Sequence, residues 1–359
     1  MSRDEFHDKP YDEGTLTKLR IFELYVQEWL PVFLSQPEPR FEELHVFDFF
    51  CGPGKDANNV LGSPLRILRQ FKTYQEAPLA GWNGVAKTAH FFDLDEQKVR
   101  ALRQTIETEK LGVSGVNLDI EACEFTDALA KFRPVLENSR AAKLLIIDQF
   151  GVDAVSDEVF LELISFPTTD FIFFLSSSTL HRFREHPAIK QKIANIDDSY
   201  HVHRATFDYY KDLIPAEADV FLGQFSIRKR SNIYGLIFGS QHPLGIHKFL
   251  QVAWKNDEIA GEANFDVERE NIGSHEMLLD FDEMKPRKIQ NFEDALEHSL
   301  RAQQFGTEAD IISFCIEAGM TARHAEPVIA KLKKEKLFAA DFRVPNVRNT
   351  KEPRPITYP

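Results

Sequence analysis

Apolar and polar positions along the first 240 residues follow two periods. Leu16, Leu19, Phe22, Leu24, Val26, Trp29, Leu30 and Phe33 recur at roughly helical spacing. They predict an amphipathic helix over residues 16–34, with Thr15 as N-cap and Pro37 and Pro39 beyond its end. Short, nearly solid apolar runs then predict buried strands at 44–50, 88–94, 143–147 and 170–175, with a weaker strand within 115–125. Helical patterns fall between them at 58–74, 95–109, 126–137 and 157–164, the first interrupted by Gly62-Ser63-Pro64. Residues 219–227 and 232–240, joined by Arg228-Lys229-Arg230-Ser231, read as a β-hairpin. His201 and His203 alternate as on a strand.

Five strands alternating with helices, closed by a hairpin, predict an α/β fold: a doubly wound sheet with an antiparallel edge. The order is that of a Rossmann-like (class I) methyltransferase sheet, and a classical dinucleotide-binding domain does not require the hairpin. The domain extends over residues 1–254, including the N-terminal helix. An acidic, mixed stretch at 255–291 reads as an insert or linker. Helical patterns at 309–318 and 322–336, a tight turn between them and a short strand at 337–344 suggest a small winged-helix-like domain at 292–345. Residues 346–359 read as a flexible tail, rich in proline and basic residues.

Candidate chemistry gathers at the carboxyl ends of the strands, where open α/β sheets bind ligands. The first strand runs into Asp48, Cys51 and the turn Gly52-Pro53-Gly54. Such a turn lets backbone N–H groups approach a nucleotide-like cofactor. Asp93 ends the second strand and Asp148 the fourth. On a methyltransferase reading the cofactor is S-adenosylmethionine (SAM). Asp48, Cys51, Gly52 and Gly54 line it, Asp93 accepts from its ribose hydroxyls, and Glu124 and Phe125 lie by its adenine. Asp148, Gln149 and Phe150 then face the methyl group and its acceptor, with Phe150 placed to stack on a base. A Pro-Cys nucleophile is absent after the fourth strand, so Cys51 reads as loop packing rather than as a nucleophile.

Composition narrows the setting. No apolar run reaches the ~18–20 residues of a membrane span, the polar N-terminus has no signal-peptide pattern, and the three cysteines are scattered. No membrane association, disulfide framework or cysteine metal site is expected, and the cytoplasm is the expected compartment. The 31 phenylalanines fall largely in the apolar runs and read as core. A net charge of −13 argues against a chain devoted wholly to nucleic-acid binding. The charge is uneven, however. From Lys331 onward eight basic residues face three acidic ones, a net +5. Arg182 and Arg184 after the fifth strand, Arg228, Lys229 and Arg230 at the hairpin, and Lys333 and Lys334 are the candidate phosphate contacts. Each group also reads as a solvated surface. His201 and His203 lack an evident third metal ligand.

The segments KLRIFELYVQEW (18–29), FDFFCGPGK, IIDQFG and IYGLIFGSQHPLG…AW together resemble the three-Cys-motif partner protein (TcmP) family. The resemblance implies a SAM-dependent methyltransferase and, as a partner, a radical-SAM-like protein with a three-cysteine motif. Family members show Asp-Pro-Tyr/Phe-Gly after the fourth strand; here Gln149 replaces the proline. Lys18 matches a recurrent lysine of the family's helix, although in the sequence alone it reads as a solvated charge. The Gln149 departure supports a second reading, a catalytically weak methyltransferase-like binding or regulatory subunit that partners the radical-SAM-like protein or a defence or mobile-element complex. A third has Asp48, Asp93 and Asp148 hold Mg²⁺ for hydrolysis.

Overall fold

Side-chain alternation along each strand decides which helix meets which face of the sheet. The computed structural model describes residues 9–148, 155–175, 199–229, 232–258, 261, 287–338, 342–343, 347 and 353–358. Two compact units emerge, Met1–His242 and Pro243–Pro359.

In the first unit the order is α1 (Glu13–Leu34), β1 (Glu43–Asp48), α2 (Ser63–Glu76), β2 (Ala86–Asp93), α3 (Glu96–Thr108) and β3 (Val116–Ala122). Then come α4 (Phe125–Leu136), β4 (Ala141–Ile147), α5 (Asp157–Ser165), β5 (Thr169–Leu175), α6 (Ser199–Asp212), β6 (Phe221–Lys229) and β7 (Asn232–Ser240). The seven strands form one sheet in the order β3-β2-β1-β4-β5-β7-β6. β1 to β5 pair in parallel, and β7 runs antiparallel to both β5 and β6. This is the Rossmann-like sheet with a terminal hairpin expected from the apolar runs. β4 and β5 are buried at every position, as strands covered on both faces must be.

One face carries Phe47, Phe49, Phe92, Leu145, Ile147, Phe171 and Phe173, packed with residues of α4, α5 and α6 into the main apolar cluster. The alternate positions Asp48, Asp148, Asp170 and Phe174 fall on the other face, where α1 lies. Tyr25 of α1 donates to Asp170 Oδ2 at 2.7 Å. Glu23 ties α1 to α2, accepting from Arg66 Nη1 (2.9 Å), Arg69 Nε (2.8 Å) and Gln70 Nε2 (2.8 Å). α1 is therefore a fixed wall of the sheet.

Several boundaries differ from expectation for local reasons. Asp12, not Thr15, caps α1: its carboxylate accepts the Thr15 N–H at 3.0 Å. The helix expected from residue 58 starts at Ser63, because Asp56 Oδ1 holds the N–H groups of Asn58 and Val60 (both 2.8 Å) in a turn and Pro64 suits a first helical turn. His201 and His203 lie on α6 rather than a strand, and the described residues contain no group of three His, Cys, Asp or Glu able to hold a metal ion. β6 extends through Arg228 and Lys229, which pair with Ile233 and Asn232, so these two belong to the ladder and not to the hairpin tip.

A polar chain, buried at its two histidines, crosses the Phe47 face over β1–β3. His45 Nδ1 lies 3.0 Å from His90 Nε2, Glu43 lies 3.0 Å from His45 Nε2, and Asp119 lies 3.2 Å from His90 Nδ1. His90 also stacks on Phe47 at 4.1 Å. Burial, then the neighbouring His45, pushes His90 down to about 4.

The second unit contains α7 (Pro243–Asn256), α8 (Arg287–Arg301), α9 (Glu308–Glu317), a 3₁₀ turn (Ala322–Ala325) and α10 (Glu326–Lys334). The helices expected there are present. Of the strand expected at 337–344, the described residues 337–338 and 342–343 adopt no strand, and 339–341 and 344 lie outside the described set. The tail expected to be flexible is docked at its described end. Ile356 is buried, its N–H donates to Gly306 O at 2.9 Å, and Glu308 N–H donates to Arg354 O at 3.0 Å. Apolar burial and backbone pairing outweigh the proline-rich composition there. Among the described residues, no helix is long and apolar enough to cross a membrane.

Candidate functional site

β1 ends at Asp48, and the chain turns at once through a loop that bends at two glycines. Gly52 and Gly54 have φ of 60° and 89°, a region where a Cβ is strained. A Cβ on Gly54 would also lie 2.7 Å from Leu102 Cδ1 and 3.3 Å from Leu65 Cδ1. The loop is closed by the Gly62 N–H, which donates to Gly54 O at 2.7 Å.

The loop is tied to the end of β2. Cys51 N–H donates to Phe92 O at 2.8 Å, and Gly52 N–H donates to Asp93 Oδ2 at 3.1 Å. Asp93 Oδ1 accepts the Asp95 N–H at 2.9 Å. A carboxylate has about four acceptor positions, so Asp93 retains capacity for a diol. Leu94, the next residue, is 60% exposed and offers an apolar platform beside that carboxylate. Sequence reading passed over Leu94; a large apolar residue directly after a strand-end acid was the available signal.

Asp48 is fully buried. Oδ1 accepts the Phe50 N–H at 3.2 Å, while Oδ2 is buried with no hydrogen-bond partner. Burial pushes this carboxyl up to about 7, opposed by the Ser63 hydroxyl and the Phe50 N–H and reinforced by the charges of Asp148 and Asp93. Cys51 is buried too. Burial, then the charges of Asp48 and Asp93, hold its thiol well above the ordinary range. That is the environment of an inert packing thiol.

Asp148 follows β4 on the same face as Asp48, whose register partner in β4 is Ile146. Lys18 Nζ donates to Asp148 Oδ1 at 2.6 Å and lies 4.4 Å from the centre of the Phe174 ring. The reading of Lys18 as a solvated charge is therefore corrected: its side chain is buried. Spacing explains this, because Lys18, Phe22, Tyr25 and Trp29 fall on one helical face and all are buried. Burial raises the Asp148 carboxyl and Lys18 pulls it back down.

Tyr11 was not singled out in the sequence, where it sits in a polar leader without periodicity. Its N–H donates to Asp56 Oδ2 at 2.6 Å, and its hydroxyl would lie 3.1 Å from a Cβ on Gly62. Burial, then the charges of Asp56 and Asp148, push the phenol up. Residues preceding α1 thus reach the glycine loop.

The structure brings Asp48, Cys51, Gly52, Gly54, Asp93 and Asp148 to one edge of the sheet. Glu124 caps α4, accepting the Thr126 N–H at 2.6 Å. Phe125 is buried, 5.1 Å centre to centre from Phe49. Gln149 and Phe150 lie outside the described residues, as do Arg182, Arg184 and Arg230. Lys333 Nζ donates to Phe342 O at 2.7 Å, and Lys334 is exposed. Lys331 of the same basic run pairs with Glu297 at 2.8 Å.

No family model and no curated protein matches the sequence. Among solved structures, the chain is similar to an O-methyltransferase from Bacillus cereus crystallised with SAH, at 13% identity over 65% of this chain and 82% of that one, with a TM-score of 0.33. An rRNA methylase from Streptococcus thermophilus aligns at 9% identity over 65% and 98%, with a TM-score of 0.32. The O-methyltransferase TomG from Streptomyces achromogenes, in complex with SAM, aligns at 10% identity over 64% and 90%, also at 0.32.

Proposed function

We propose that this chain is a SAM-dependent methyltransferase acting on a nucleic acid or nucleotide-like acceptor. The observation that carries the reading is the glycine loop after β1, joined through the Gly52 N–H to the Asp93 carboxylate at the end of β2. The 3-2-1-4-5-7-6 strand order supports it. The residues fit the cofactor's chemistry. Asp93 has acceptor capacity for a ribose diol, Leu94 gives an apolar surface for adenine, and the orphaned Asp48 Oδ2 suits a cationic group.

SAM, when bound, supplies an already activated sulfonium methyl. The chain's own task is orientation: the loop fixes one end of the site, and Asp148 fixes the acceptor side. The TcmP resemblance adds a radical-SAM-like partner protein to the proposal.

The test is incubation of the full chain with methyl-labelled SAM and cellular RNA, DNA or protein, with and without the partner. Label is expected in nucleic acid. Label in protein alone overturns the acceptor class, and transfer seen only with the partner present assigns this chain a dependent subunit role.

A further inference from the structure

Asp48 and Asp148 lie on one face of the sheet at the ends of neighbouring strands, yet their oxygens are placed differently. Asp48 Oδ2 is sealed from solvent. Asp148 Oδ1 accepts from Lys18 Nζ at 2.6 Å. Among the described residues no hydrogen bond is made to Asp148 Oδ2, and it is not one of the sealed polar atoms. The Asp148 side chain keeps 8% of its surface open, against 3% for Lys18. One oxygen of this carboxylate is thus seated on the ammonium, and the other is left reachable from the crevice.

Lys18 is the sole charged residue among the buried positions of α1. A buried ion pair is a poor device for stability, because desolvating two charges costs about as much as their attraction returns. A neighbouring cation does decide a protonation state. Burial alone favours the neutral acid, and an ammonium in contact favours the carboxylate. Both act on Asp148, burial raising its carboxyl and Lys18 lowering it. Asp48, equally buried but with no cation in contact among the described residues, is pushed up by burial to about 7. The ammonium is fixed for this task from two further sides. It lies 4.4 Å from the centre of the Phe174 ring, and α1 is tied by Glu23 to α2 and by Tyr25 to Asp170.

We infer that Lys18 is a positioning residue that holds Asp148 as a carboxylate, and that Asp148 Oδ2 takes the proton from a methyl acceptor atom that bears one, a hydroxyl or amino group. The inference rests on the methyltransferase reading above and narrows its acceptor class. As the acceptor's lone pair forms its bond to the methyl carbon, the carbon–sulfur bond breaks and leaves its electrons on sulfur. The electrons of the acceptor's O–H or N–H bond stay on the acceptor, and the proton passes to Asp148 Oδ2. Asp148 ends neutral and then releases the proton to solvent. An acceptor atom with a free lone pair and no proton, such as an unprotonated ring nitrogen, needs no such base. The titratable groups facing Asp148 are Lys18 of α1, Tyr11 before it and Asp48 of β1, with Asp56, Arg66, Cys51 and Asp93 around these. Phe174, which β5 presents to the pair, carries no charge. Among the described residues, Lys18 is the cation in contact with the carboxylate.

Two readouts on the full chain test this, one of them without cofactor. Carboxyl-carbon NMR of the aspartate-labelled chain follows the ionisation of Asp148, whose resonance is identified by its loss in Asp148→Asn. The pH–rate profile of methyl transfer from labelled SAM to cellular RNA or DNA follows its use. Lys18→Met is expected to move the Asp148 titration midpoint upward. Its transfer rate should fall roughly tenfold near pH 6 and approach the wild-type rate near pH 9, with SAM affinity changed less than about twofold. Lys18→Arg, which restores the charge, keeps the wild-type midpoint and profile. Asp148→Asn loses transfer at every pH and still binds SAM. If Lys18→Met does not fold, Lys18→Gln, which keeps a donor for Oδ1 without the charge, is read in the same way. A folded neutral variant with the wild-type midpoint or the wild-type profile, or an Asp148→Asn chain that transfers at the wild-type rate, overturns the inference and leaves the cofactor reading intact. A wild-type chain that binds no SAM, or that transfers no label even with the partner protein, overturns the methyltransferase reading and this inference with it.

Discussion

Asp148→Ala is expected to lower the unfolding free energy by roughly 3–5 kcal/mol, because it strands the Lys18 ammonium in a buried site. Lys18 is 2% exposed and donates to Asp148 Oδ1 across 130 residues of sequence. The Phe174 ring returns only part of the lost interaction, about 1–2 kcal/mol for a desolvated cation–π contact. Replacing both partners with apolar residues of similar size, as in Lys18→Met/Asp148→Leu, removes the stranded charge and should recover most of the loss. Urea unfolding of the three proteins at pH 7.5 measures this. A single-variant loss below about 1 kcal/mol would mean that water reaches the pair and that it behaves as a surface salt bridge.

Asp48→Asn should act in the opposite direction and raise stability above pH 7 by about 2–4 kcal/mol. The sign follows from proton counting. The Asp48 carboxyl is pushed from an ordinary 3.8 up to about 7 in the folded chain, mainly by burial. Between those values the folded chain holds a proton that the unfolded chain has released. Its stability contribution is complete below about 4 and is lost as pH rises through 7. Asparagine keeps the shape and cannot ionise, so this loss disappears. His90 works the other way. Pushed down to about 4, it resists protonation when folded, so its contribution is present above 6.5 and is lost as pH falls towards 4. Asp170, pushed up to about 6 by burial, adds a slope of the same sign as Asp48. The diagnostic quantity is therefore the difference between variant and wild type, which should grow from near zero at pH 4 to a plateau above pH 7. A flat difference would show that Asp48 stays ionised throughout. The same substitution removes the carboxylate proposed to face the sulfonium, so stability should rise while SAM affinity falls.

The sheet was legible because β1, β2, β4 and β5 are apolar runs too short for buried helices and are bounded by acids, glycine or proline. The hairpin was legible from two such runs separated by a few polar residues. The glycine loop and the three strand-end aspartates followed from topology, since strands of one parallel sheet end at one edge. The assignments that failed depended on distant contacts or on weak local periods. Lys18 carries the helical spacing of Phe22, Tyr25 and Trp29, yet its charge suggested solvent; only a carboxylate just after β4, 130 residues away, compensates its burial. Tyr11 has no period at all and is placed by Asp56. His201 and His203 alternate over too few positions for a period of two to be told from a helix. The docked end of the C-terminal segment depends on backbone pairing with Gly306 and Glu308, which composition does not encode.

The central claim is that the crevice at Gly52, Gly54 and Asp93 binds SAM, and titration of the full chain with SAM tests it most directly. Saturable one-site binding is expected, weakened by roughly 1–3 kcal/mol in Asp93→Ala, the scale of hydrogen bonds lost at a charged acceptor. A folded wild-type chain that binds neither SAM nor S-adenosylhomocysteine, or an Asp93→Ala variant that binds SAM as tightly as wild type, would contradict it.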